Sequence, residues 1–145
     1  MPPKRLARPR PHVGSIAQTV RLPAAPMAVY AALMESRQHA AFTGGAARID
    51  ARRGGKFTTY DGYATGRFTA LVPGARIAST WRADGWREGI TSQVSIELVA
   101  AGKGTSLRFE QVGVPRGQVG EIRDGWREFY WVPLKKYLGR AAAEE

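Results

Sequence analysis

The chain has 145 residues, of which 43% are hydrophobic and 23% charged, a size and composition typical of one globular domain. It contains no cysteine, which excludes disulfide frameworks, thiolate metal sites and cysteine nucleophiles. No apolar run approaches the roughly 18 residues that span a membrane, and the start lacks the apolar core of a secretory signal, so we expect a cytoplasmic protein.

The net charge is +10, but its distribution argues against specific nucleic-acid binding. Four of the ten charges come from Lys4, Arg5, Arg8 and Arg10, in a proline-rich stretch that we expect to be a flexible N-terminal tail covering residues 1–14. The remaining +6 is spread along the chain and is not concentrated on one helix. This pattern is typical of a solvated basic surface, with a tail that could bind anions loosely.

The first elements in chain order are a strand and two short helices. Residues 15–22 alternate apolar and polar side chains, which predicts a strand. Apolar residues then recur at helical spacing from Pro26, a residue suited to a first helical turn. A second short helix is expected from Ser36 to Phe42, ending at the pair Gly44 and Gly45.

Six strands and a long helix follow. The strand-like segments are punctuated by GG, DG, PG and GKG turns and cover residues 47–53, 56–61, 63–72, 76–83, 91–100 and 105–114. The final helix is predicted from apolar residues three or four apart: Val119, Ile122, Trp126, Tyr130, Leu134 and Tyr137. Pro133 should kink this helix. The order predicts an α+β fold with six or seven antiparallel strands, in one domain over residues 15–139 and a tail over 140–145.

The register of the central strands can be counted from two turns. Asp61-Gly62 is a strong hairpin signal. A loop at Pro73-Gly74 defines the next hairpin. The expected pairs are Phe57 with Gly66, Thr59 with Ala64, Thr58 with Thr65, Lys56 with Arg67, Leu71 with Arg76, Phe68 with Ser79, and Gly66 with Trp81. One face then becomes mostly apolar, including Val72, and the other mostly polar, including Tyr60 and Tyr63.

A glycine on the inner face, Gly66, is expected to leave room between Phe57 and Trp81. The room would either let the sheet bend around the final helix or belong to a ligand-sized cavity between sheet and helix. The candidate pocket residues are Phe57, Thr59, Gly66, Phe68, Ser79, Trp81, Phe109, Gln111, Trp126 and Tyr130.

The predicted inner face of the sheet carries no His, Asp, Glu, Lys or Arg, so no catalytic residue is proposed from it. Neither a cofactor motif nor a set of metal ligands is found in the sequence. His39, near the end of the second short helix, is interpreted as a partly exposed surface residue.

The stretch FTGGAARIDARRGGKFTTYDGYATGRFTALVPGARIASTWR, followed by VGVP and GWREFYWVPLKKYL, resembles the C-terminal domain of the activator of heat-shock protein 90 ATPase. The resemblance covers about residues 15–139 and places the chain in the START-like (SRPBCC, Bet v 1-like) superfamily. It implies a helix-grip fold, in which a curved antiparallel sheet wraps a long C-terminal helix. Relatives bind lipids, hormones or polyketide-like molecules between sheet and helix, and some are cyclases or hydrolases. Stand-alone copies of the domain look like bacterial proteins.

Three functions follow as hypotheses. The first is a non-catalytic module that holds an apolar or aromatic small molecule between Trp81 and Trp126. The second is a co-chaperone-like module that binds a chaperone of the heat-shock protein 90 class through its surface and basic tail. The third, an enzyme of the cyclase or hydrolase type, would need a titratable residue brought into the cavity from elsewhere. The oligomeric state is left open.

Overall fold

The structure, a computed structural model, describes residues 12–144, with side chains described through residue 141. Most of the predicted N-terminal tail, residues 1–11, lies outside the described residues. The strands are β1 (Val13–Leu22), β2 (Arg48–Ile49), β3 (Lys56–Thr59), β4 (Ala64–Val72), β5 (Arg76–Ala83), β6 (Ser92–Ala101) and β7 (Gly104–Pro115). The helices are α1 (Pro26–Met34), α2 (Ser36–Thr43), a 3₁₀ turn (Arg116–Gln118), α3 (Val119–Trp126), a π turn (Arg127–Trp131) and α4 (Val132–Glu144).

The seven strands form one antiparallel sheet in the order β1-β7-β6-β5-β4-β3-β2. Its apolar face is covered by the C-terminal helix and by α1 and α2, and the core lies between these layers. This is the α+β arrangement that the order of elements predicts, and the helix-grip fold that the resemblance implies. None of the described helices is long and apolar enough to cross a membrane.

The two short helices begin and end where the sequence predicts. Pro26 occupies the first turn of α1, where its missing N–H costs no hydrogen bond. The second helix, α2, ends at Gly44, whose φ of 81° is left-handed and is adopted by glycine without steric cost. Of the predicted strand over residues 47–53, only Arg48–Ile49 is a strand.

The predicted register holds from β3 into the first half of β4 and then shifts. Phe57 pairs with Gly66 and Phe68 pairs with Ser79, as expected. A bulge between Phe68 and Ala70 adds one residue to β4, so Leu71 pairs with Ile77 and the predicted pairing with Arg76 is wrong. The extra residue also reverses the faces beyond it. Val72, expected to point inward, is 51% exposed.

At Gly66 the ring of Phe57 lies directly over the glycine. A β-carbon at this position would overlap both that ring and the backbone carbonyl oxygen of Thr80. The room that the missing side chain creates is therefore filled by Phe57. At this position the structure shows close packing and not an open space.

The C-terminal helix is interrupted just before Pro133. In the π turn the N–H of Val132 bonds to the carbonyl of Arg127, five residues back. Pro133 has no N–H and leaves the carbonyl of Phe129, four residues earlier, without its α-helical donor. The disturbance predicted at Pro133 thus takes the form of a π turn.

Both expected domain boundaries fall within regular secondary structure. The first strand begins at Val13, where its N-terminal end pairs with the C-terminal end of β7. The last helix continues to Glu144, five residues past the expected boundary at residue 139.

Candidate functional site

The space between the sheet and the C-terminal helix contains two separate voids. The inner cavity is small, about 60 Å³. Its lining comes from α1, α2, the sheet, the end of α3 and the π turn: Leu33, Met34, His39, Ile49, Phe57, Thr59, Phe68, Ile77, Ser79, Trp81, Val94, Ile96, Trp126 and Tyr130. Known small-molecule pockets occupy about 300–1,000 Å³, so the inner cavity by itself has room only for water.

One polar atom in the wall of the inner cavity is without a partner. The hydroxyl oxygen of Thr59 is buried and makes no hydrogen bond to the described residues. A buried hydroxyl without a partner is costly unless water reaches it, and the cavity beside it provides the volume.

A histidine and a tyrosine meet across this cavity. His39 is only 5% exposed, so its interpretation as a surface residue is wrong. Its Nδ1 lies 3.0 Å from the carbonyl oxygen of Leu33, and its Nε2 lies 3.1 Å from the hydroxyl oxygen of Tyr130. Because a carbonyl only accepts, Nδ1 carries the proton and donates to Leu33. Nε2 then accepts the hydrogen bond of the Tyr130 hydroxyl.

Burial drives both groups toward their neutral forms. It lowers the pKa of His39, against the smaller opposing effect of the hydrogen bond to Leu33. Burial also raises the pKa of Tyr130 far above its ordinary value. A neutral histidine bonded to a neutral tyrosine is a buried structural link. His39 is thus a titratable side chain in the cavity wall, with both ring nitrogens engaged within the protein.

Two of the predicted pocket residues belong to a buried hydrogen-bond chain. Trp126 Nε1 donates to Gln111 Oε1 at 2.8 Å, and Gln111 Nε2 donates to the Ser92 hydroxyl at 2.9 Å. That hydroxyl donates in turn to the carbonyl of Trp81 at 2.8 Å. Both polar groups of Gln111 are therefore engaged within the protein.

The second void is an open groove of about 380 Å³ between the β3–β4 turn, β5 and the helix. We call it the aromatic groove and define it by its lining: Tyr60, Tyr63, Ala64, Trp81, Glu121, Ile122, Gly125, Trp126, Phe129 and Tyr130. Its volume lies at the lower end of the range for small-molecule pockets. The residues Trp81, Trp126 and Tyr130 line both voids and form the wall between them.

The β3–β4 turn brings two tyrosines to the groove. Tyr60 and Asp61 are left-handed, with φ of 51° and 59°. The Asp61 carboxylate accepts a hydrogen bond from the N–H of Ala46, which ties the turn to the loop after α2. As a result the ring of Tyr60 packs edge-on against Phe129 and Tyr130. Strand counting placed Tyr60 on the polar face and missed its part in the groove.

The groove is mostly apolar and carries one charged residue. Glu121, in the first turn of α3, is exposed at its edge. Burial, together with the nearby Glu121 carboxylate, raises the pKa of Tyr63. Phe129 and Tyr63 are large aromatic residues that remain 52% and 47% exposed. Among the described side chains, residues 12–141, no three His, Asp or Glu converge to hold a metal ion.

The ten predicted pocket residues are thus distributed over three environments. Seven line the inner cavity: Phe57, Thr59, Phe68, Ser79, Trp81, Trp126 and Tyr130. Gly66 lies beneath Phe57. Phe109 and Gln111 are fully buried, and the Phe109 ring packs against Trp126 at 4.5 Å between centroids. A ligand-binding role for any of them remains a prediction.

Known proteins resemble this chain in both sequence and fold. A family model described as "Activator of Hsp90 ATPase homolog 1-like protein" matches residues 23–139. The mouse protein "Activator of 90 kDa heat shock protein ATPase homolog 1" is 37% identical over 102 residues, which cover 70% of this chain and 30% of the mouse protein. The chain therefore spans less than a third of that relative.

Solved structures agree on the fold. The crystal structure of PFC0360w, an HSP90 activator from Plasmodium falciparum, matches with a TM-score of 0.81 at 22% identity, covering 86% of this chain and 96% of that one. Protein CV1439 from Chromobacterium violaceum matches with a TM-score of 0.69 at 28% identity, with the same coverage. From the family model and the mouse relative together, the chain belongs to the family of Activator of Hsp90 ATPase homolog 1-like proteins.

Proposed function

We propose that this domain binds an apolar or aromatic small molecule in the aromatic groove. The observation that carries the proposal is the groove itself, a void of about 380 Å³ walled by Tyr60, Trp81, Trp126 and other aromatic rings. Concave, mainly apolar sites with a few polar groups are where small molecules bind.

The exposure of the groove residues supports the proposal. Phe129 and Tyr63 leave about half of their side chains in water. A ligand lying between them would remove this apolar surface from solvent, at roughly 25 cal/mol per Å² covered. The inner cavity is not the proposed binding site, because its volume of about 60 Å³ is too small for an organic molecule.

The experiment is a thermal-shift and tryptophan-fluorescence titration with naringenin as the flavonoid probe and lauric acid as the fatty-acid probe. Binding to the native state stabilises it by about 2.7 kcal/mol when the free ligand is at 100 times its Kd, which should raise Tm by several degrees. Trp81 and Trp126 line the groove, so their emission should change with the same saturation curve.

Two helix variants form a matched pair for this test. Phe129→Ala removes a groove wall, whereas Val132→Ala removes an apolar side chain of similar exposure, 46%, that does not line the groove. Phe129→Ala should abolish the ligand-induced shift and Val132→Ala should preserve it. An equal shift in both variants, or no saturable shift with either probe, would overturn ligand binding in this groove.

A second candidate function is interaction with a chaperone of the heat-shock protein 90 class. It is favoured by the mouse relative and the Plasmodium structure, both described as activators of that chaperone. The exposed side chains of Arg48, Lys56 and Arg67 on neighbouring strands offer a basic surface for an acidic partner. This function predicts binding to the purified chaperone that weakens with added salt and is indifferent to Phe129→Ala.

A further inference from the structure

The charge at the aromatic groove is opposite to that of the chain. The protein has 22 Lys and Arg against 12 Asp and Glu. The ten groove residues nevertheless include no Lys or Arg, and Glu121 is their one charged member. In a basic protein, a carboxylate beside an apolar void is a local feature that a ligand can recognise.

The carboxylate of Glu121 has no specific partner among the described residues. Among the side chains of residues 12–141 the ion pairs within 4.0 Å join Arg52 to Asp50 and Arg123 to Asp124, and Glu121 takes part in neither. It also accepts no side-chain hydrogen bond from the described residues. Its place in the first turn of α3 favours a negative charge, which is the ordinary structural reason for an acidic residue there.

The other polar groups of the groove are mostly engaged. The hydroxyl of Tyr60 donates to the carbonyl of Phe129, and that of Tyr130 donates to His39. The indole N–H of Trp126 donates to Gln111. The Tyr63 hydroxyl, the Trp81 indole N–H and the Glu121 carboxylate make no hydrogen bond to the described residues and remain for a ligand. Of these three groups the carboxylate is the charged one, and the exposed Tyr63 ring lies near it.

The aromatic walls of the groove also favour a positively charged ligand. Its aromatic residues are two tryptophans, three tyrosines and a phenylalanine. Aromatic faces carry negative electrostatic potential and attract organic cations, and aromatic cages are a recurrent way of holding an ammonium group. The aromatic rings and the Glu121 carboxylate therefore both favour a ligand with a positive charge.

We propose that the aromatic groove prefers a ligand that joins an aromatic or apolar body to one organic ammonium group, with the body among the rings and the ammonium beside Glu121. The inference rests on the proposed small-molecule binding and specifies the class of molecule bound.

A matched series of three probes with the same naphthalene ring tests the preference. They are 2-(1-naphthyl)ethylamine, a cation; 2-(1-naphthyl)ethanol, which is neutral; and the acetate, the anion of 1-naphthaleneacetic acid. Their Kd values are measured by tryptophan fluorescence at low salt and at high salt. The amine should bind about fivefold more tightly than the alcohol at low salt, and the acetate more weakly than both. The advantage of the amine should shrink at high salt, because Glu121 is exposed.

Two variants locate the preference. In Glu121→Gln the advantage of the amine over the alcohol should fall to the smaller part that the rings supply, whereas Glu128→Gln, on the exposed side of the same helix and outside the groove lining, should keep the full ratio. If Glu121 served only the helix, its variant would change Tm and leave the ratio intact, which would overturn the inference.

The remaining outcomes separate this inference from the function on which it rests. Saturable binding of the alcohol with no advantage for the amine would overturn the ammonium preference and leave small-molecule binding standing. If Glu128→Gln lowered the ratio of the alcohol and amine Kd values as much as Glu121→Gln does, the preference would come from the general charge of the helix. This result would also overturn the inference. No saturable binding of any of the three probes would count against both.

Discussion

The hydroxyl of Tyr60 donates a hydrogen bond to the carbonyl of Phe129, a residue 69 positions further along the chain. Four residues after Phe129 the helix has Pro133, which has no N–H to offer that carbonyl. The turn between β3 and β4 therefore supplies a donor that the helix lacks. This contact joins the turn of the sheet to the π turn, and both residues line the aromatic groove.

Tyr60→Phe should lower the free energy of unfolding by about 1 kcal/mol, because it removes the hydrogen bond to the Phe129 carbonyl. The loss should shrink when Pro133→Ala is also present, since alanine restores an N–H four residues from Phe129. Urea unfolding of the wild type, both single variants and the double variant gives the coupling. Tyr63→Phe, whose hydroxyl bonds to none of the described residues, is the control and should be near neutral. An equal cost for Tyr60→Phe in both backgrounds would contradict the pairing.

Gly66→Ala should destabilise the domain by about 3 kcal/mol or more, because the new β-carbon overlaps the Phe57 ring and the carbonyl oxygen of Thr80. Adding Phe57→Ala to this variant should restore little of the lost stability, since the overlap with the carbonyl oxygen of Thr80 remains. Gly117→Ala, where a β-carbon meets nothing within 4 Å, provides the control. The measurement is the urea-unfolding midpoint of each variant compared with that of the wild type. If Gly66→Ala left the stability nearly unchanged, the close packing at Gly66 would be disproved.

Trp126→Ala should cost about 3–5 kcal/mol, since the ring is 7% exposed and packs against Phe109. Trp126→Phe should cost about 1–3 kcal/mol, because Gln111 Oε1 then loses its donor while most of the ring volume remains. By contrast, Phe129→Ala, three residues along the helix and half exposed, should stay within about 0.5 kcal/mol. A small loss in Trp126→Ala accompanied by loss of ligand binding would mark the ring as a pocket wall instead.

The buried His39 should make the domain less stable at acidic pH. Its pKa is lowered in the folded state, so below about pH 6.5 the unfolded chain binds a proton that the folded chain does not. Stability should fall as the pH drops from 6.5 toward the lowered pKa, by at most about 1.4 kcal/mol per pH unit, and then level off for this group. Above pH 6.5 the residue should have no pH effect.

His39→Gln should remove this component from the pH dependence of urea unfolding, whereas His12→Gln, at an exposed position, should leave it unchanged. The ¹⁵N shifts of the ring provide a second measurement, since they report a neutral Nδ1–H tautomer if Leu33 and Tyr130 are its partners. A ring that titrates at or above the ordinary histidine pKa would refute the buried link.

Local turn chemistry made the register of β3 and β4 predictable. Asp61-Gly62 specifies where the chain reverses, and counting outward from it pairs Phe57 with Gly66, as the structure shows. The count failed beyond Phe68, because a bulge adds one residue to β4 without a glycine or proline to mark it. The bulge places Val72 on the outer face, where it is exposed.

The candidate site was less predictable because it depends on contacts between distant parts of the chain. His39 is buried by Tyr130, 91 residues away, and nothing in the sequence around His39 indicates that neighbour. Tyr60 reaches the groove because it adopts a left-handed conformation that is uncommon outside glycine, asparagine and aspartate. Sequence periodicity identified Trp126 and Tyr130, whose spacing on the helix is a local property.

The π turn also sets the phase of the final helix. Buried residues recur along it at intervals of four, with Trp131 buried as well: Ile122, Trp126, Tyr130, Leu134 and Leu138. An unbroken α-helix rotates by about 100° per residue. Over the sixteen positions from Ile122 to Leu138, the side chain of Leu138 would therefore point about 160° away from that of Ile122. The extra residue in the π turn takes back much of that rotation, so both ends of one helix face the core. Deleting a single residue between 127 and 131 should therefore rotate Leu134 and Leu138 off the core by about a quarter of a turn.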